Sequence, residues 1–388
     1  MFRQIPWITE DAVLNGTHES IRNDEYSYEE LFSLVIADFE EAYNVLPEVP
    51  ADGGRTHKIA AAAYLAKCYL TLAWGDGYEA TNGVAHIKPE YMQKVVEYTD
   101  VVKASRFNYM ADYGDLFLPE YKNNVESVFA VQTSDYADDN TEFGRANWSN
   151  MFNDYNKETS YPVKGVASEQ KYDPRLFHTV AMPSFPYKYE AEYTMTKDNS
   201  RNPSTYGYYS SLKDVPQRSK GETYNGSWQA FAMSDYVFRY ADIMLMRAEA
   251  LIELGKLSEA REIINEIRER AASSIGKHIS YASEFCEIAQ YPANYFDSKE
   301  NARQCLQWER RLELAMENGR YFDLRRWGIA SKTLNAFFQS EMGVEYEGQA
   351  YAQYYSDAYY TPGKNEFYPI PYNQLYYVPG LYSQNANY

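Results

Sequence analysis

The sequence predicts a mainly α-helical fold, a tetratricopeptide-like body of helical repeats that carries a large irregular, loop-rich region and a few short strands. Two observations lead there. A helix–turn–helix pattern with small residues at the crossing points occurs twice, around Ala62, Ala66 and Tyr69 and again around Ala248, Gly255 and Ala260. Between the two, residues 135–234 show almost no helical periodicity yet are dense in aromatic side chains. Structureless stretches of that length are uncommon in compact proteins unless functional or disordered, and the aromatic content argues against disorder.

The elements follow in order. Residues 1–26 are irregular. Ser27 with Glu30 forms a capping box, Leu31, Val35, Phe39, Ala42 and Leu46 make one apolar stripe, and Pro47 ends the helix. A turn-rich linker leads to an alanine-rich helix over Thr56–Trp74. Its partner helix comes after a loop from Gly75 to Lys88, with Val95, Thr99 and Val102 facing inward. The segment ESVFAVQTS alternates enough for a short strand. In Arg239–Leu254 the residues Ile243, Met244, Met246, Leu251 and Leu254 recur at helical spacing; Gly255 stops that helix, and Ser258 restarts one bearing Ala260, Ile263, Ile264 and Ile267 on one side. An ordinary helical hairpin explains either pattern alone; the recurrence favours repeats, because a single unit cannot bury its own face. Ser298 caps a helix running through NARQCLQWERRLELAMENG, with Arg310–Glu313 and, further on, Asp323–Arg326 as i,i+3 ion pairs. The rest is a tyrosine-rich loop and an extended tail lying on the body. This gives one domain over 1–388: helical repeats at 27–134, a loop-rich ligand-binding region at 135–234, a last repeat with framework helices at 235–335, and loop plus tail at 336–388.

Composition excludes several classes. Net charge is −18 with no basic tract, so nucleic acid and anionic membrane surfaces are poor partners. No run of about 18 apolar residues exists to span a membrane. Cys68, Cys286 and Cys305 are widely spaced and contain no CxxC. The histidines His18, His57, His86, His178 and His278 are isolated, and HExxH, GxSxG, GxxxxGK[ST] and GxGxxG are all missing, so no metal, cofactor or catalytic residue is assigned. The charged cluster around Glu309–Glu313 reads as a structural ion-pair lock, with an acid/base site as the alternative. The unusual number is 40 tyrosines. Tyrosine joins a flat apolar face to a polar tip, which suits stacking on sugar rings, although helix contacts use some of them too.

Three motifs give the chain a resemblance. Arg239–Met246 with Ala248, Glu249 and Ala250 matches RYAD-[IV]-[LM]-LM-x-AEA. Glu309, Arg310, Arg311, Glu313, Leu314, Glu317, Arg320, Tyr321, Asp323, Leu324, Arg326 and Trp327 match a second run, and Tyr368–Pro371 reads YPIP. A DPRL stands at Asp173–Leu176. In these the chain resembles the SusD/RagB family of Bacteroidetes surface glycan-binding lipoproteins. The resemblance implies a SusD-like α/α superhelix and a non-enzymatic lid on a TonB-dependent (SusC-like) outer-membrane transporter, to which it passes oligosaccharides. It also implies a surface-exposed outer-membrane location through a lipid anchor. The start, QIPWITE, resembles a segment that follows the family's early helices, so the chain is expected to lack an N-terminal part carrying that anchor.

The first functional reading is glycan capture, with Trp148, Tyr155, Tyr161, Tyr206 and Trp228 stacking on sugar rings and Asn147 and Asn225 bonding hydroxyls. The second is a tetratricopeptide-type scaffold or peptide-cargo binder working through its helical faces. The third is a glycoside hydrolase, which needs only two facing carboxylates.

Overall fold

The computed structural model describes residues 2–75, 87–132, 145–146, 171–196, 209–217, 219, 223–224, 228–231, 233–342, 345–346, 349–350 and 355–388; at 145–146, 223–224, 228–231, 345–346 and 349–350 only the backbone path is described. A short helix, α1 (Glu10–Leu14), precedes α2 (Tyr28–Val45), α3 (Lys58–Trp74) and α4 (Pro89–Lys103). After β1 (Ser127–Val131), β2 (Arg145–Ala146), the short α5 (Arg175–Thr179) and β3 (Val180–Ala181) come β4 (Pro186–Tyr187), β5 (Glu190–Thr194) and β6 (Ser210–Ser211). Strands β7 (Thr223–Tyr224), β8 (Trp228–Phe231) and β9 (Asp235–Arg239) lead into α6 (Tyr240–Glu253) and α7 (Leu257–Ser273). Helices α8 (Lys299–Glu313), α9 (Arg320–Arg326), α10 (Ala330–Glu341), a hairpin of β10 (Glu345–Tyr346) and β11 (Gln349–Ala350), and α11 (Tyr372–Tyr377) complete the chain. The fold is mainly helical, with a tetratricopeptide-like body.

That body forms as the small residues dictate. Ala62, Ala66, Ala248 and Ala260 are fully buried where α3 meets α4 and α6 meets α7. With no side chain beyond Cβ at the crossing, the backbones approach closely and larger neighbours such as Met92, Leu251 and Ile264 interlock around them. Helix α6 packs on α4, α7 and α8, so the two repeats share one core. Gly255 turns the chain between α6 and α7 at φ +80°, a conformation that costs other residues. Capping is as read: Ser27 Oγ accepts from the Glu30 N–H while the Glu30 carboxylate accepts from the Ser27 N–H. His57 caps α3, its Nδ1 accepting from the Ala60 N–H at 3.2 Å while Nε2 donates to the Val128 carbonyl at 3.0 Å, which ties α3 to β1.

Four details differ from the sequence reading. Helix α2 is an outer helix: Leu31 of its stripe is buried, as is Ile36 beside the stripe, while Val35, Phe39, Ala42 and Leu46 are only half covered. Helix α8 stops at Glu313, because Met316 and Asn318 take positive φ and turn the chain into α9. Residues Asp235–Arg239 form a strand that the helix signal after them concealed; it pairs antiparallel with β1, Ser127 opposite Arg239 and Val131 opposite Asp235. The tail contains the short helix α11 but does lie on the body. Asn23 donates to the Ser383 carbonyl at 2.9 Å and accepts from its N–H at 3.0 Å, and the Gln384 amide brackets Ile370 at 2.7 and 3.0 Å.

We expect Ala248→Leu to lower stability by about 1–3 kcal/mol, because added methylenes in a filled helix crossing force the backbones apart. Chemical denaturation checks it, and an unchanged midpoint would contradict the close crossing.

Candidate functional site

The side chains selected from the sequence all lie in the loop-rich region. Asn147, Trp148, Tyr155, Tyr161, Tyr206 and Asn225 fall outside the described residues. Trp228 is placed by its backbone: it opens β8 opposite Tyr224 of β7, while Ala230 of the same strand pairs with Ala146 of β2. Asn147 directly follows Ala146, and Asn225 directly follows Tyr224. One three-stranded sheet, ordered β2-β8-β7, thus joins the segments that lead to Asn147, Trp148, Asn225 and Trp228.

A buried ion-pair network anchors this region to the helices. Arg175, in the DPRL segment, pairs with Asp173 at 2.8 Å, Glu309 at 2.6 Å and Glu313 at 3.0 Å. Arg239 pairs with Glu126 at 2.5 Å, Glu313 at 3.0 Å and Glu317 at 2.8 Å. Arg270 bridges Glu126 and Glu313, Arg268 reaches Glu309 at 3.1 Å, and Lys213 reaches Glu317 at 2.6 Å. Five cations (Arg175, Lys213, Arg239, Arg268, Arg270) therefore face five carboxylates (Glu126, Asp173, Glu309, Glu313, Glu317), and the cluster is neutral. Tyr113, also fully buried, donates its hydroxyl to the Glu313 carbonyl at 2.7 Å. Burial pushes the Glu313 carboxyl up, but Arg270, Arg239, Arg175 and Lys213 outweigh it and hold it well below the usual carboxylate range. Asp173 and Glu317 are lowered likewise, against burial, by Arg175 and by Arg239 with Lys213 respectively.

The sequence reading of an ion-pair lock holds, but with different partners. Glu309 and Glu313 are one helical turn apart and share a face, whereas Arg310 points about 100° away. Arg310 pairs with Asp323 at 2.8 Å and Asp242 at 2.9 Å rather than with Glu313. The Asp323–Arg326 pair forms at 2.9 Å, and Arg326 also holds Glu249, which accepts from Trp327 Nε1 at 2.9 Å. Glu126 and Lys213 were not singled out in the sequence; neither stands in a motif that marks it.

A second contact steadies the same region. His178 of α5 is fully buried; Nε2 donates to the Ser274 carbonyl and Nδ1 accepts from the Tyr189 hydroxyl, both at 3.0 Å. Burial pushes its pKa down to about 3, so the ring is neutral. Gly114 is required beside it, since a Cβ there would stand 2.8 Å from the rings of His178 and His278. Asp112, Asp115 and His278 gather their ligand-capable atoms within 4.8 Å. Both oxygens of Asp115 already accept from Lys277 at 2.7 Å, and one also contacts His278 Nε2 at 2.7 Å, so Asp115 is engaged by protein groups.

Among the described residues, exposed tyrosines concentrate in the tail. Tyr372, Tyr376 and Tyr377 are each at least 65% exposed, and the rings of Tyr372 and Tyr376 lie 6.1 Å apart and 25° from parallel. No described helix is long and apolar enough to cross a membrane.

The family model described as SusD family matches residues 76–388. The chain belongs to the SusD family. It is 25% identical over 354 residues to SusD-like protein P2 of Formosa agariphila, covering 86% of this chain and 62% of that relative's length. The SusD homolog of Bacteroides thetaiotaomicron shares the fold with a TM-score of 0.68 at 19% identity, over 100% of this chain and 75% of its own. A laminarin-binding SusD-like protein shares it with a TM-score of 0.64 at 21% identity, over 100% of this chain and 75% of that one. The motifs of this SusD-family chain sit at the ion-pair networks: DPRL supplies Asp173 and Arg175, RYAD supplies Arg239 and Asp242, and the ERR-x-E run supplies Glu309, Arg310 and Glu313.

Glu313→Gln leaves three guanidiniums short of a buried counter-charge and is expected to cost about 3–5 kcal/mol in a denaturation experiment. A loss under 1 kcal/mol would contradict the network's role. For Asp173, Glu313 and Glu317 the folded pKa lies below the unfolded value near 4, so their stabilisation is full above that value. The melting temperature should fall as pH drops below about 4, and should fall less steeply in Glu313→Gln.

Proposed function

We propose that this SusD-family chain is a non-catalytic glycan-capture protein. The observation that carries the reading is the family match, joined to the shared fold with a protein described as laminarin-binding. The composition supports it: the segment 135–234 is rich in tyrosine, tryptophan and asparagine, whereas the buried charges of the helices are paired with one another. Aromatic faces stack on sugar rings while side-chain amides bond the hydroxyls.

In this reading residues 27–134 and 235–335 are the frame, 135–234 carry the ligand, and 336–388 close over the body. Trp148, Tyr155, Tyr161, Tyr206 and Trp228 stack on the glycan, with Asn147 and Asn225 as hydroxyl partners. The glycan passes to a TonB-dependent, SusC-like transporter at the outer-membrane surface, where a lipid anchor holds the capture protein. The scaffold role of the ion-pair networks keeps their carboxylates from acid/base work, because each is bonded to buried guanidiniums.

Retention in affinity gels containing laminarin and a panel of other polysaccharides tests this. Alanine at Trp148, Tyr155, Tyr161, Tyr206 or Trp228 should weaken retention about tenfold per effective site without lowering the melting temperature. Retention unchanged in all five overturns the residue assignment. A melting temperature raised by a peptide and by no glycan supports the scaffold reading instead, and release of reducing sugar overturns the non-catalytic one.

A further inference from the structure

A cleft of about 170 Å³ opens between α3, α6 and α9, on framework residues to which the glycan reading gives no ligand role. Engineered cavities of ~150 Å³ hold a benzene-sized guest, so the space suits a small group. The walls carry the cations Lys67, Arg239, Arg310, Arg325 and Arg326 against the carboxylates Asp242, Glu317 and Asp323. Such a surplus of positive charge is unexpected in a chain of net charge −18.

The three carboxylates are already engaged. Asp323 and Asp242 hold Arg310 at 2.8 and 2.9 Å, Asp323 also holds Arg326 at 2.9 Å, and Glu317 holds Arg239 at 2.8 Å. Arg326 has Glu249 as a further partner. Two cations are left over. Among the described residues no carboxylate lies within ion-pair distance of Lys67 or Arg325. Lys67 Nζ stands 5.1 Å from the Phe238 ring centroid, and Arg325 donates to the Glu366 carbonyl at 3.1 Å while lying 5.6 Å from the Phe322 ring.

A second, independent feature comes from the wall. Arg310 is 6% exposed, and its Nη1 is buried with no hydrogen-bond partner. A buried donor left unbonded is costly, and a guanidinium fork is shaped to grip an oxyanion. The aromatic ring of Phe322, 36% exposed, also lines the cleft and offers a flat apolar face beside the cations.

We infer that this cleft is a binding site for an oxyanion, a carboxylate or sulfate group, held between Lys67 and Arg325 with Arg310 behind them. The group arrives either as a free ion or as the acid function of a uronic or sulfated sugar whose ring rests on Phe322. The site shares no residue with those proposed for glycan stacking, and free sulfate probes it without any sugar, so the two readings fail independently.

Isothermal titration of the whole chain with sodium sulfate, against sodium chloride at matched ionic strength, provides the test. Saturable sulfate binding with none for chloride is expected. Lys67→Gln should weaken it about tenfold, and Arg325→Gln likewise, the loss of one charge-assisted contact. Lys67 is exposed on α3, so that variant should keep the wild-type melting temperature. Titration with a glucuronate-containing disaccharide and with its neutral counterpart distinguishes the sources. Tighter binding of the acidic disaccharide than of sulfate assigns the site to acidic sugars, and equal binding assigns it to the free ion; either supports the oxyanion site. No saturable binding of either anion, or unchanged affinity in both variants, overturns it.

Discussion

One buried carboxylate, Glu313, joins three distant parts of the chain. It accepts from Arg175 of the loop region, Arg239 at the end of a strand and Arg270 of helix α7. Bare, such an ion inside a protein is prohibitively expensive to desolvate. Here every charge in the cluster has an opposite one against it, and the five cations and five carboxylates cancel. Neutrality and near-complete hydrogen bonding are what make the burial tolerable. The pairs lie at 2.5–3.1 Å and reach the cluster from several parts of the chain, so they tie Arg175 and its neighbours to the helices at one place.

Two kinds of closure build the frame. Helix crossings are closed by Ala62, Ala66, Ala248 and Ala260, and the loops' footings are closed by ion pairs and by the neutral His178. The described residues 171–196 and 209–217 are tied down as well, with Phe177, Val180, Ala181, Leu212 and Val215 buried.

The described tyrosines divide between buried and exposed positions. Tyr64 stands 4.8 Å edge-on to Phe238 and 4.5 Å face-on to Phe39, and Tyr69 stacks on Tyr98 at 5.8 Å, so many of them knit helices together. Others, Tyr372, Tyr376 and Tyr377 among the described residues, show their rings to solvent. Composition alone therefore overstates the binding surface, because the same ring serves equally in a half-polar helix contact.

Helical repeats were legible because their signal is local. Small residues at crossing positions, Gly255 at a left-handed turn and the Ser27–Glu30 capping box all act within a few residues of themselves, and the family motifs are equally local strings. The ion-pair lock was legible as a cluster but not in its pairing. Spacing suggested Arg310 with Glu313, whereas helix rotation and the chain's return at Asp323 sent each to a different partner. Glu126 and Lys213 carried no signal at all, since each meets its partner only after the chain has folded over more than a hundred positions. The strand at Asp235–Arg239 was hidden for the same reason: a strand is completed by a distant partner, here residues 127–131. The sequence by itself thus determined the repeats, the caps and the family. Only the tertiary structure decided which charges neutralise one another and which, like Lys67 and Arg325, have no carboxylate within ion-pair distance among the described residues, because charge pairing depends on distance in space and not on distance along the chain.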